Sequence, residues 1–121
     1  MHIKKTALFF FVLALVLSAC KKEKNPPVKQ YKVKYTLGCT DCTIIYYYDE
    51  NGNDTTEYHK NSNWSYTFNG KPGQELILFA YNTSGAAQTV TTAISLNDTL
   101  LATQTGYCPI NGSSFCSDTI P

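Results

Sequence analysis

From Tyr31 onward the chain alternates apolar and polar residues in short runs, with no sustained 3.6-residue spacing to predict a helix. Val33, Tyr35 and Leu37 alternate with Lys32, Lys34 and Thr36, as in a half-buried strand with a charged outer face. Ile44 to Tyr48 is rich in β-formers. The Asp49-Glu50-Asn51-Gly52 that follows carries the Asn-Gly signal of a tight hairpin returning through Thr55 to His59. Trp64, Tyr66 and Phe68 alternate with Ser65 and Thr67, so the three rings share one face and read as core. Turn residues from Asn69 to Gly73 precede a strand from Leu76 to Tyr81, which Asn82 to Gly85 closes. Val90 to Leu96, a turn at Asn97-Asp98, and Thr99 to Thr105 complete the pattern. Seven short strands with regular turns predict an all-β fold, an antiparallel immunoglobulin-like β-sandwich.

The N-terminus follows different rules. Lys4 and Lys5 precede an unbroken apolar run from Ala7 to Leu17, the n-region and h-region of a secretory signal peptide. That run of 11 residues is too short to span a bilayer, which takes about 20. Leu17-Ser18-Ala19-Cys20 resembles the lipobox of bacterial lipoproteins, which implies a diacylglycerol on the Cys20 thiol after cleavage. Each buried acyl methylene contributes about 0.8 kcal/mol, so several chains on one Cys hold a domain without a spanning helix. The alternative is a plain signal peptide with a chance Cys. The division expected is 1–19 signal peptide, 20–30 lipidated Cys and tether, and 31–121 β-sandwich domain. The tether reading rests on Lys21 to Gln30, which is charged, holds Pro26-Pro27 and lacks periodicity.

Removal of residues 1–19 leaves 102, enough for one small domain. All ten basic residues are Lys; the mature chain keeps eight against nine acids, a net charge of −1. That balance gives no electrostatic case for nucleic acid. Six of the eight lie between Lys21 and Lys34, where they would meet anionic headgroups. Cys20 aside, four cysteines remain, an even number that reads as two disulfides in an exported domain. The expected bridges are the local ones, Cys39–Cys42 and Cys108–Cys116, with loop-entropy values of about 2 and 2.6 kcal/mol. A crossed pairing such as Cys39–Cys116, worth about 4.5 kcal/mol on the same basis, stays open.

Cys39-Thr40-Asp41-Cys42 has redox spacing, but such motifs work where a helix N-terminus lowers the thiol pKa, and here a strand follows. The seven residues between Cys108 and Cys116 do not suit zinc. Asp49 to Asp54 concentrates oxygens as calcium loops do, yet its Gly comes too early and the hairpin accounts for it. His59, the one His of the mature chain, sits at the end of a polar strand with no nucleophile placed beside it. Asn82-Thr83-Ser84 is a glycosylation triplet that carries no weight in a bacterial lipoprotein. No catalytic residue, metal ligand or cofactor is expected.

The sharper oddity is that two strands are apolar on both faces. Ile44, Tyr46 and Tyr48 oppose Ile45 and Tyr47; Leu76, Leu78 and Ala80 oppose Ile77, Phe79 and Tyr81. One outer face of a two-layer sandwich should be wet, so Ile45, Tyr47, Ile77, Phe79 and Tyr81 form a candidate partner patch. The alternative is that loops or the tether cover them.

Tyr48-Asp49-Glu50-Asn51-Gly52, Asn63-Trp64-Ser65, Gly73 before Leu76 to Ala80, and Ile94-Ser95-Leu96-Asn97-Asp98 resemble, in that order, the soluble domain of MmpS-type membrane proteins. The likeness covers roughly residues 31–108 and implies a small immunoglobulin-like β-sandwich that serves envelope exporters of the RND class as an accessory. Two departures stand out. The family is held by an N-terminal transmembrane helix where this chain has Cys20, and its Cys before an Ile-x-Val-Asp-Gly strand falls near Thr92. The expectation is a non-enzymatic lipoprotein facing the periplasm, on the outer membrane in preference to the inner. Its partners would be membrane lipid, through acylated Cys20, and an envelope transporter or other envelope protein. Two further readings are a thiol–disulfide protein acting through Cys39 and Cys42, and a glycan-binding or adhesion module.

Overall fold

The computed structural model describes residues 29–121. The signal segment 1–19, the lipidation position Cys20 and most of the tether lie outside the described residues. Within them the chain forms eight strands: β1 (Tyr31–Gly38), β2 (Cys42–Tyr48), β3 (Asp54–Lys60), β4 (Ser65–Gly70), β5 (Glu75–Asn82), β6 (Gln88–Leu96), β7 (Thr99–Cys108) and β8 (Ser113–Thr119). They build two antiparallel sheets, ordered β4-β1-β6-β7 and β3-β2-β5-β8. This is an antiparallel two-sheet β-sandwich.

Period-two patterning accounts for the core. Val33, Tyr35 and Leu37 of β1 point inward with Val90, Ile94 and Leu96 of β6, against Ile44 of β2 and Leu76, Leu78 and Ala80 of β5. Tyr35 stands at the centre with no exposed surface. Its hydroxyl donates to the Tyr48 carbonyl at 2.7 Å, and the rings of Tyr47 and Phe68 meet it edge-on, each at 5.7 Å. Burial raises the Tyr35 phenol above its ordinary pKa, because the charged form would lose its hydration. Phe68 is buried, with Trp64 and Tyr66 packed beside it, as the shared face of those rings predicts.

The turns follow their residues. Asp49 Oδ1 accepts the amides of Asn51 and Asn53 at 2.9 and 3.0 Å, so the oxygen-rich stretch between β2 and β3 is occupied in holding its own hairpin. Asn97 and Asp98 both have positive φ, 50° and 65°, the backbone a two-residue β6–β7 hairpin needs.

Two expectations are corrected. An eighth strand, β8, follows the predicted seven; its inward residues Ser114 and Cys116 are too small to read as an apolar alternation. Its presence separates the second cysteine pair. Cys108 Sγ lies 3.5 Å from the Ser113 carbonyl, whereas Cys116 stands three residues further along β8, opposite Leu78. At 3.3 Å per residue that is about 10 Å, beyond the reach of a bridge. Cys108 and Cys116 are therefore buried free thiols, and the Cys108–Cys116 disulfide does not form.

Candidate binding face

The outer faces of the two sheets differ in kind. On β4-β1-β6-β7 the outward positions are Lys32, Lys34 and Thr36, Ser65 and Thr67, Thr91 and Ser95, Thr103 and Thr105. On β3-β2-β5-β8 they are Tyr46 and Tyr48 from β2, Ile77, Phe79 and Tyr81 from β5, and Phe115 from β8. The rings of Tyr46, Phe79 and Phe115 form a row across three strands, with centroids 5.5 and 5.7 Å apart and planes within 15° of parallel. Tyr48 joins the row beside Tyr46 at 6.3 Å. Spacings of this size make offset stacks, which hold each ring upright and leave its outer edge to solvent. Phe115 ends the row 53% exposed.

A β-bulge sets which β2 residues reach this face. The β2–β5 pairing runs Ile44 to Ala80 and then Tyr46 to Phe79, so Ile45 is the extra residue and everything after it changes sides. The Thr56 hydroxyl donates to the Ile45 carbonyl at 2.7 Å, which ties the bulge to β3. Tyr47 accordingly turns inward and is only 3% exposed, in contact with Tyr35, Trp64 and Tyr66. Its place in the expected patch is corrected: Tyr47 is core. Ile45 is half-buried in the bulge, while Ile77, Phe79 and Tyr81 are half-buried on the outer face as the alternation of β5 predicts. Tyr46, Tyr48 and Phe115 complete the face. Strict alternation from Ile44 places Tyr46 and Tyr48 on the opposite side, and the bulge inverts that; Phe115 lies on β8, a strand that the apolar alternation does not announce.

The Cys39–Cys42 disulfide closes the turn between β1 and β2 at the end of the sandwich far from Tyr31. Both cysteines are buried, and the Ser62 hydroxyl holds Cys39 by its amide and carbonyl, each at 3.0 Å. Between them Asp41 Oδ1 receives Nδ1 of His59 and the Thr83 hydroxyl, both at 3.0 Å. These partners, His59 foremost, hold the Asp41 carboxyl below its ordinary pKa. His59 itself is exposed at the end of β3, with a positive φ of 52°.

Beside this turn lies Asn82, fully buried at the end of β5. Its Nδ2 donates to the carbonyls of Ala86, Cys108 and Pro109 at 2.7, 3.2 and 3.3 Å, while its Oδ1 accepts from Ser84 and from Gln88 Nε2. The side chain of the glycosylation triplet is thus occupied in joining two loops.

Chemically, the polar end is a brace and the aromatic row is a surface. Among the described residues no group of three or more His, Cys, Asp or Glu side chains is placed to hold a metal ion, and no helix is long and apolar enough to cross a membrane. Comparison with protein-family profiles and with curated proteins finds no match to this chain.

Proposed function

We propose that this chain is a non-enzymatic binding module of the bacterial envelope, held by a lipid on Cys20 and facing the periplasm. It would dock on an envelope protein of a transport-type complex through the aromatic face of β3-β2-β5-β8. The observation that carries the reading is the stacked row Tyr46–Phe79–Phe115, on the outside of a sheet whose counterpart presents Thr, Ser and Lys. A contiguous apolar face on a small domain is a recognition feature, since such surface otherwise favours aggregation. Aromatic residues, Tyr and Phe among them, are enriched at the buried core of protein interfaces. The lipid would keep the domain at the membrane, which raises its effective concentration beside a membrane partner. The buried Cys39–Cys42 bridge supports a staple in preference to a redox centre, because thiol exchange needs an accessible sulfur.

Photo-crosslinking tests the reading. A benzophenone amino acid at Phe115 in the full chain, expressed in a bacterial envelope, should yield one discrete adduct with another envelope protein. The same probe at Thr67, on the opposite sheet, should not. Equal adducts from both positions, or none from Phe115, would overturn the docking face. Intact mass of the membrane fraction reads the lipid on Cys20 separately.

A further inference from the structure

We infer that the β7 edge is a self-complementary interface, through which two copies of this chain join as an antiparallel β7–β7 pair about a two-fold axis at Gln104. Strand β7 is the longest of the eight, ten residues, and it closes its sheet with only β6 as a neighbour. Edge strands in monomers are blunted by charge, proline, shortness or a twisting bulge. The opposite-sheet edge β3 obeys this with Asp54, Glu57 and Lys60, and β4 is short. Strand β7, Thr-Leu-Leu-Ala-Thr-Gln-Thr-Gly-Tyr-Cys, has neither charge nor proline.

Register makes the occupant specific. Pairing with β6 runs Ile94 to Ala102 and then Ser95 to Leu100, so Leu101 is an extra residue that returns Leu100 to the outer face. Leu100 and Tyr107 are consequently on the same side of β7 although seven positions apart, and they are 59% and 75% exposed. Place a second β7 antiparallel with Gln104 opposite its own copy. Thr103 then meets Thr105 of the second copy, and the bulge brings Tyr107 opposite Leu100 of the second copy, and conversely. The two large apolar side chains that β7 leaves in water become cross-strand partners, and no like charges meet. A single strand thus matches itself, the condition for an isologous two-fold contact. On the inward side a groove of about 700 Å³ lies between β7 and β8, with Gln104, Ala102 and Ser114 among its walls, and the Ser114 hydroxyl donates to the Gln104 carbonyl at 3.2 Å.

Cysteine trapping tests this. The full chain carrying Gln104→Cys is expressed in a bacterium and oxidised with copper phenanthroline. Lys34→Cys, exposed on the same sheet but away from the edge, measures random collision. Gln104→Cys should give a covalent dimer about tenfold faster than Lys34→Cys, as expected when binding raises local concentration. Adding Thr103→Lys and Thr105→Lys sets ammonium groups opposite each other across the axis and should return the rate to the collision level. Trapping no faster than Lys34→Cys, trapping undiminished by the two lysines, or an adduct heavier or lighter than twice the chain would each overturn the proposal.

Discussion

Tyr46 and Tyr47 are consecutive, yet the first stacks on Phe79 at 5.5 Å on the outer face and the second is 3% exposed in the core. The bulge at Ile45 divides them. Truncation should therefore separate recognition from stability within one dipeptide. Tyr47→Ala removes a ring packed on Tyr35, Trp64 and Tyr66 and should cost about 3–5 kcal/mol in urea unfolding, the range for large-to-small changes in a core. Tyr46→Ser removes part of an exposed stack and should cost about 1 kcal/mol. Equal losses would show that the two rings are not divided between surface and core.

Thiol counting distinguishes the bridged from the free cysteines. Native protein should resist alkylation at Cys108 and Cys116, since both are buried, and burial raises the Cys116 thiol above its ordinary pKa. Denaturation without reductant should then expose two thiols in the 31–121 domain, and denaturation with reductant four, by mass spectrometry. Cys39→Ala with Cys42→Ala should lower stability by about 2 kcal/mol, the loop-entropy value for so short a closure, without loss of the fold.

Most of the sandwich was legible because its core strands alternate strictly. Val33, Tyr35 and Leu37 could face only one way, and Asn97-Asp98 could only turn. What escaped has a common cause. Ile44 to Tyr48 is apolar throughout, so alternation alone could not reveal that Ile45 is extra, and the side of Tyr46 and Tyr47 was inverted. In β8 the inward positions are Ser114 and Cys116, whose burial is secured by neighbours from β6, Thr92 among them, and not by their own hydrophobicity. A strand built of small residues beneath a lone Phe115 has no periodic signal, and the Cys108–Cys116 expectation failed with it.

A phenol and a carboxylate give stability a pH dependence of opposite sense. The Tyr66 hydroxyl donates to Glu50, and ionising it would set two anions together, so its pKa is pushed up to about 12 from 10.0. A pKa raised on folding stabilises fully below the unfolded value. This contribution is therefore complete below about pH 10 and is lost as pH rises through about 12. Tyr66→Phe should flatten that part of the alkaline limb, read by unfolding midpoints alongside tyrosinate absorbance. Asp41 has a lowered pKa, so its contribution is present above 3.8 and is lost as pH falls through the folded value. His59→Ala should move the Asp41 titration back toward 3.8 in carboxyl NMR.

Asn82 should be the most sensitive polar position, because its side chain satisfies groups on two loops at once. Among the described residues no buried side-chain nitrogen or oxygen lacks a partner, and Asn82 supplies a large share of that balance. Asn82→Ala would leave the carbonyls of Ala86, Cys108 and Pro109 without this donor and free the Gln88 amide. At about 1–3 kcal/mol for each buried group left unpaired, with some reached by water, a loss of about 2–4 kcal/mol is expected. For a domain of this size that lowers the melting temperature by about 10–25 °C. Asn82→Asp is the discriminating variant. It keeps the acceptor for Ser84 and Gln88 but turns a carboxylate toward three carbonyl oxygens, so it should destabilise at neutral pH and recover in part as acid protonates it. A melting temperature for Asn82→Asp independent of pH would show that the donor side of the amide does not hold these loops.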